Sequence, residues 1–382
     1  MRNLFLFIFV LSVIACAPKQ SKTNKIQSAQ NEVRYATGFS LRTFSNYQEV
    51  VIHQPTEDAL FGKVYWLGET KDGLTIPDSV TFIKTPVQKI ICTSTTHLPH
   101  LESLQQTNSL VGFPGTDYIC SELIRHRVAN GQVAELGPEA DMNIEKILAL
   151  QPNIVMGYTL SHQTGAYKSL NKLAIPVLYN ADFLEQHPLG RAEWIKVTAA
   201  LFNKTKQADS IFNEIEKNYL HLKNLAEQTS IIPSVFSGVL YGDGWFMPGG
   251  KNYASILFRD SGMRYVWAAD SSSGYLQLPV ETVLQQAKHA DLWIGTASFS
   301  TLKDLEKADH RYTMFDAFTK GNVFHYNAKV SPGGGSFYLE EGYLRADFIL
   351  ADLIKIAHPE LLPTHTFVYH AKLTPKRKRW GL

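Results

Sequence analysis

Two acidic residues, Glu145 and Glu281, occupy the same place in two similar segments, 141–150 (DMNIEKILAL) and 278–287 (LPVETVLQQA). Each falls in the first turn of an expected helix that leads into an apolar strand, 153–157 in one case and 291–295 in the other. The positive end of a helix dipole stabilises a carboxylate without a buried partner, so each Glu can stand exposed as a fixed negative charge. A matched pair in two halves of one chain predicts two related lobes that offer paired charges to one partner. The plainer alternative is that both merely decorate helix ends. The other chemistry-bearing side chains are mostly aromatic. Tyr118, Tyr158, Tyr241 and Trp245 fall at or just beyond expected strand ends, as do His97 and His162. In segment 241–246 (YGDGWF) two glycines allow close backbone approach beside aromatic surfaces. Lys329, after a strand, and Arg345, at the start of the last helix, are candidate partners for an anion. This mixture suits stacking on a flat ligand rather than breaking bonds. The sequence has no Gly-x-Ser-x-Gly elbow, His-Glu-x-x-His or Cys-x-x-Cys, and no Gly-x-Gly-x-x-Gly after a strand. No catalytic residue is assigned and no enzyme is expected. A secreted hydrolase without a recognisable motif is the remote alternative.

The elements that must position these residues change character along the chain. Residues 35–83 read as strands and turns, with apolar runs at 50–52, 64–67 and 80–83 separated by Gly and Pro-Asp signals. Beyond them strands and helices alternate, which predicts parallel sheets covered by helices. Strands are expected at 89–93, 110–113, 153–157 and 176–179, then at 234–241, 291–295 and 322–326. Ligands of such sheets bind beyond the carboxyl ends of the strands. That rule points to 93–97, 113–118, 158–162 and 180–182 in the first half, and to 241–245, 296–298 and 327–329 in the second. Between the halves, apolar residues at three- and four-residue steps predict helices over 189–228, broken at 202–204. The piece from 205 to 228 would be about 36 Å long at ~1.5 Å per residue, enough for a strut between two lobes.

The termini place the protein in a compartment. Residues 1–3 start the chain with a positive charge, and 4–13 form an apolar run too short to span a bilayer. Residues 13–16 (VIAC) resemble the lipobox of bacterial lipoproteins, which implies lipidation at Cys16 and a polar tether after it. The formal net charge of +2 over 382 residues excludes a strongly basic nucleic-acid binder. The basic run 376–379 (KRKR) is read as a solvated tail. Cys92 and Cys120 could pair in an oxidising compartment or remain two buried thiols.

Segments 89–104 (KIICTSTTHLPHLESL), 111–113 (VGF), 142–155 (MNIEKILALQPNIV), 260–262 (DSG) and 278–281 (LPVE) carry a family resemblance. They make the chain similar, over about residues 85–362, to the substrate-binding lipoproteins of bacterial ABC importers that bind ferric siderophores, haem or cobalamin. The resemblance implies an α/β fold of two Rossmann-like lobes joined by a single long helix, the helical-backbone type of periplasmic binding protein. Its ligand would lie between the lobes, and Glu145 and Glu281 would dock on the permease in the inner membrane. The β-rich segment before residue 85 departs from smaller members, and could be an added edge on the first lobe.

The organisation expected is a signal peptide over 1–15, a tether over 16–34 and an N-terminal lobe over 35–187 that includes the β-rich extension. A linking helical segment over 188–228, a C-terminal lobe over 229–363 and a basic tail over 364–382 complete it. A monomer is expected, without nucleic acid and without a cofactor, since iron chelate, haem or cobalamin would be cargo. The competing reading is a carrier of bare zinc or manganese ions, with His97 and His162 converging on Asp243. The location expected is the periplasm of a Gram-negative-type bacterium, anchored by lipid.

Overall fold

The computed structural model describes residues 31–53, 62–158, 165–296 and 298–375. The signal peptide, Cys16, His162 and the basic run 376–379 lie outside the described residues.

The β-rich extension folds because alternate residues of its strands share one apolar face. It comprises β1 (Phe39–Thr43), β2 (Gln48–Ile52), β3 (Val64–Gly68) and β4 (Val80–Lys84), in that spatial order. Pairing is antiparallel except between β3 and β4. Phe39, Leu41, Val50, Ile52, Tyr65 and Ile83 are buried. This is a sheet of its own rather than an edge added to the first lobe, because its inward face already has a partner in the lobe's side chains. The Phe39 and Trp194 rings lie 4.7 Å apart, and the Tyr65 hydroxyl donates to the Val177 carbonyl at 2.8 Å.

The N-terminal lobe alternates strand and helix: β5 (Ile90–Cys92), α1 (Leu98–Ser103), β6 (Leu110–Phe113), α2 (Glu122–Ala129), β7 (Ala134–Glu135), α3 (Ile144–Leu150), β8 (Ile154–Gly157), α4 (Gly165–Lys172) and β9 (Val177–Tyr179). All five strands are parallel, in the order β7-β6-β5-β8-β9. The order reverses direction at β5, so a crevice opens beyond its carboxyl end.

Three helices then link the lobes: α5 (Pro188–Glu193), α6 (Ile195–Leu201) and α7 (Thr205–Ala226). Asn203 in the left-handed region (φ 57°) breaks the run where the sequence expects a break. Helix α7 has 22 residues, about 33 Å at ~1.5 Å each.

The C-terminal lobe contains β10 (Ser234–Phe236), β11 (Val239–Tyr241), β12 (Gly244–Pro248), α8 (Tyr253–Asp260), β13 (Arg264–Tyr265), β14 (Tyr275–Leu278), α9 (Val280–Ala287) and β15 (Leu292–Ile294). After these come α10 (Leu302–Ala308), α11 (Asp316–Thr319), β16 (Val323–His325), α12 (Glu341–Leu344), α13 (Ala346–Ala357) and β17 (Ala371–Lys372). The main sheet runs β13-β10-β15-β16-β17, with only β17 antiparallel. The sequence suggests one strand over 234–241. The structure has two, because Gly238 takes φ 90° and passes so close to the Phe246 carbonyl that no Cβ fits. The second piece joins a separate three-stranded antiparallel sheet, β11-β12-β14.

The stretch before β1 is pinned by two buried carboxylates. The backbone N–H groups of Arg34, Tyr35 and Ala36 donate to Glu193 at 2.9, 2.7 and 3.0 Å. Those of Thr37 and Gly38 donate to Glu185 at 2.9 and 2.7 Å. Lys196 Nζ also reaches Glu193 at 2.9 Å, within a buried pair. Arg34 continues to α7, donating to Glu216 at 2.7 Å and Asn213 at 2.6 Å. The chain before β1 is thus a strap across the linking helices. Glu193→Ala would orphan three amides and leave the buried Lys196 ammonium with the Glu32 carbonyl and a distant Asp209. It should cost about 3–5 kcal/mol, read as a drop in the urea midpoint, whereas an unchanged midpoint would mean the strap adds nothing.

Candidate functional site

The carboxyl ends of the N-terminal parallel sheet face the C-terminal lobe across a cleft. Residues after β5 (Ser94, Thr95, Thr96), after β8 (Tyr158) and after β9 (residues 183–186) form one wall. Asn252, Tyr253, Tyr275, Leu339 and Tyr343 form the other. The enclosed volume is about 590 Å³. Its floor holds one cation, Arg191 of α5. The guanidinium carbon lies 3.7 Å from the Tyr253 ring centroid and 4.4 Å from that of Tyr343. Nε donates to the Glu185 carbonyl and Nη2 to the Phe183 carbonyl, both at 3.0 Å. Two rings and two carbonyls hold the plane of the guanidinium and leave one edge, shared with the Tyr343 hydroxyl, toward the cleft. Burial pushes the Tyr253, Tyr338 and Tyr343 phenols up, so they remain neutral O–H donors. The arrangement can stack on a flat ligand, hold an anion and donate hydrogen bonds.

Behind the wall sits Asp182, buried, with Oδ2 lacking a hydrogen-bond partner among the described residues. Burial pushes its carboxyl up to about 7, against the pull of the Thr96 hydroxyl and Arg191.

One rim of the cleft is clasped shut. Glu340, just before α12, accepts N–H bonds from Cys120 at 2.8 Å and Ser121 at 2.9 Å, at the start of α2 in the other lobe. Gly333 and Gly335 lie against the Asp117 and Tyr118 carbonyls, where no Cβ would fit. Burial pushes Glu340 up to about 7, and the two amides pull it back.

The sequence-based candidates divide. Tyr158 lines the cleft, edge-on to Phe183 at 5.4 Å. Tyr118 is exposed on the clasped rim, and Tyr241 is 79% exposed at the tip of the β11–β12 hairpin, edge-on to Phe246. Trp245 is not a contact of the cleft. It is fully buried in the C-terminal core, 5.5 Å from Tyr312 and 5.4 Å from Phe315, with Nε1 donating to the Ser237 carbonyl. Strand alternation decides this, since its neighbour Phe246 takes the outward face. His97 is likewise buried in the N-terminal lobe. Burial, and then His100, push its imidazole down to about 3. Lys329 and Arg345 are not in the cleft either. Both line a neighbouring groove of about 380 Å³. Lys329 lies 3.9 Å over Phe337, and Arg345 is held by Asp347 through two bonds of 2.8 and 2.7 Å. The cation that lines the cleft is Arg191, in the linking helical segment.

Glu145 and Glu281 are both exposed, in the first turns of α3 and α9. Arg311 approaches Glu281 to 3.8 Å, while the Glu281 side chain remains 77% exposed. Cys92 and Cys120 are buried and unpaired, so the disulfide does not form. Among the described residues no three His, Cys, Asp or Glu side chains gather as metal ligands, and Asp243 is exposed while His97 is interior.

Residues 90–330 match the family model described as periplasmic binding protein. The chain is 27% identical over 304 residues to an uncharacterized lipoprotein of Methanocaldococcus jannaschii, covering 76% of this chain and 70% of that one. It superposes on a periplasmic heme binding protein from Pseudomonas aeruginosa with a TM-score of 0.54 at 18% identity, covering 72% and 94% of the two chains. A periplasmic vitamin B12 binding protein of Vibrio cholerae gives a TM-score of 0.52 at 13% identity, covering 71% and 97%. The structural likenesses establish the fold.

The Asp182 carboxyl carries a pH consequence. Its unfolded value is near 3.8 and its folded value about 7. Between these the folded chain holds a proton that the unfolded chain has lost, so its contribution to stability is full below pH 4 and fades toward pH 7. Thermal melts of the ligand-free protein should therefore show wild type losing stability from pH 4 to 7 more steeply than Asp182→Asn. Parallel profiles would show that Asp182 does not titrate there.

Proposed function

Because this chain belongs to the periplasmic binding protein family, we propose that it is the substrate-binding subunit of an ABC importer and carries an anionic metal chelate between its lobes. The observation that carries this reading is Arg191, sandwiched by Tyr253 and Tyr343 on the floor of a cleft walled by both lobes. A buried guanidinium that lines the cleft beside a tyrosine hydroxyl favours a carboxylate, propionate, phosphate or catecholate group. Aromatic walls favour a flat or conjugated body. Ferric siderophore, haem and cobalamin all meet both conditions, and two relatives of the same fold are named for binding heme and vitamin B12. The function is capture and delivery rather than catalysis.

Delivery requires a permease, and the exposed pair Glu145 and Glu281 supplies one acidic contact per lobe. Such charges steer the encounter and fix its orientation more than they add affinity. The protein is held by lipid on Cys16 outside the cytoplasmic membrane, in a periplasm where the cell has one. A lipoprotein relative supports the anchor.

Protein purified from its host should carry a ligand identifiable by absorption and mass spectra. Titrated with that ligand, Arg191→Gln should bind roughly ten- to a hundredfold more weakly, and equal affinity would remove Arg191 from the site. Glu145→Lys combined with Glu281→Lys should abolish uptake in cells while the purified variant binds ligand normally. Surviving uptake would refute the docking assignment.

A further inference from the structure

We propose that the ligand also carries an apolar arm, an aromatic group or an acyl chain, which enters a second chamber inside the C-terminal lobe while the anionic head rests on Arg191. The inference rests on the reading of the cleft as an anion-binding site, and extends it to the shape of the molecule.

The chamber is a cavity of about 280 Å³ that opens from the cleft. The two share Arg191, Asn252, Tyr253, Tyr275, Leu339 and Tyr343, so a molecule on Arg191 stands at its mouth. Apart from Arg191 every lining residue belongs to the C-terminal half of the chain. The walls are mainly apolar, with Val239, Met247, Leu257, Phe258, Ile294 and Leu353 among them, and carry polar groups at Ser237, Tyr326, Tyr338 and His370. Gly238 and Ile294 place one side of the chamber at the carboxyl ends of β10 and β15, where an open parallel sheet leaves a crevice.

Two glycines lie at that crevice. Gly238 and Gly295 end their strands at φ 90° and 94°, a conformation that side chains other than glycine rarely adopt. Both line the chamber, and each is held there by a close neighbour, Gly238 against the Phe246 carbonyl and Gly295 against the Ser237 side chain, so these strand ends sit tight against the adjoining backbone at the chamber wall. Protein cores otherwise leave few voids larger than one water molecule. An engineered apolar cavity of about 150 Å³ already accepts benzene, and this one is nearly twice that size. A charged group would exchange its hydration inside for few polar partners. An apolar arm would leave water and fill the void.

The test uses the folded full-length domain after the tether, titrated calorimetrically with 6-phenylhexanoate, with hexanoate and with 6-phenylhexanol. Wild type should bind 6-phenylhexanoate at least tenfold more tightly than hexanoate. Ala254→Phe, which fills the chamber from α8, should erase that preference and keep the hexanoate affinity. Val239→Phe fills it from the opposite wall and serves if Ala254→Phe melts early. No preference in wild type, or a preference that survives both variants, overturns the chamber. If neither acid binds while the alcohol does, the chamber stands as an independent apolar site and the arm on an Arg191-bound ligand is refuted. If no probe binds, the anionic cleft reading fails and the arm falls with it. A crystal soaked with 6-(4-bromophenyl)hexanoate should place bromine beside Leu257 and Ile294. Bromine seen only in the cleft or on the surface refutes the proposal.

Discussion

Helix α5 is six residues long, every one of them buried, and two of them are charged. Arg191 and Glu193 are two positions apart, so they point to nearly opposite sides of the helix. An ion taken out of water must be met by charges, dipoles or rings, or the fold does not tolerate it. Much of the surrounding architecture meets that demand. On one side the strap supplies three backbone amides to Glu193, and Lys196 supplies a cation. On the other, two tyrosine rings and two carbonyls supply the surroundings of Arg191. The β-rich extension is tied to the lobes through this same helix. Gly38 passes so near Trp194 and Glu185 that a Cβ would lie about 3 Å from both.

The cleft inherits its geometry from that arrangement. Arg191 is fixed from behind, so it does not need a ligand to hold its orientation, and an anion meets a preorganised donor. Glu340 closes one rim by capping a helix of the opposite lobe, while α7 spans the far side as a single stiff element. The lobes are therefore joined at this clasp, along α7 and through α5, which packs on α8 and α12. Opening the cleft on the clasped side would expose the Glu340 carboxylate and two amides at once, whereas loops 94–96 and 273–275 carry no such bond between lobes. Binding of this kind is compatible with small movements of side chains and loops rather than a wide hinge.

Much of the frame was readable in the residues. Alternation at 39–52 and apolar runs bounded by Gly and Pro gave the strands of the extension, and strand–helix alternation gave the two lobes. The break at 202–204 located the start of the spine, and Asn203 supplies its backbone reason. The acidic pair at the first turns of α3 and α9 followed from helix-start patterns, and exposure of both agrees with a charge that needs no buried partner. The site was read less well. Trp245, one of four aromatic candidates, stands beside a glycine turn, and the period of two within β12 turns it into the core. Arg345, a candidate for an anion or for a nearby acidic partner, is bonded to Asp347. Arg191 is not marked by helical spacing, since an arginine in a helical stretch is usually solvated. A signal was present: residues 188–202 are so apolar around it that its charge had to find company inside.

The sequence by itself determined which stretches are strands and helices, that two lobes exist and that a stiff helix joins them. Those properties depend on periodicity and turn chemistry, which act over a few neighbouring residues. Only the tertiary structure decided which charges are buried and which groups satisfy them. Glu193 is bonded to residues about 160 positions earlier in the chain, and Glu340 to residues about 220 positions away. Such contacts are fixed by how whole elements pack, and local pattern carries no record of them.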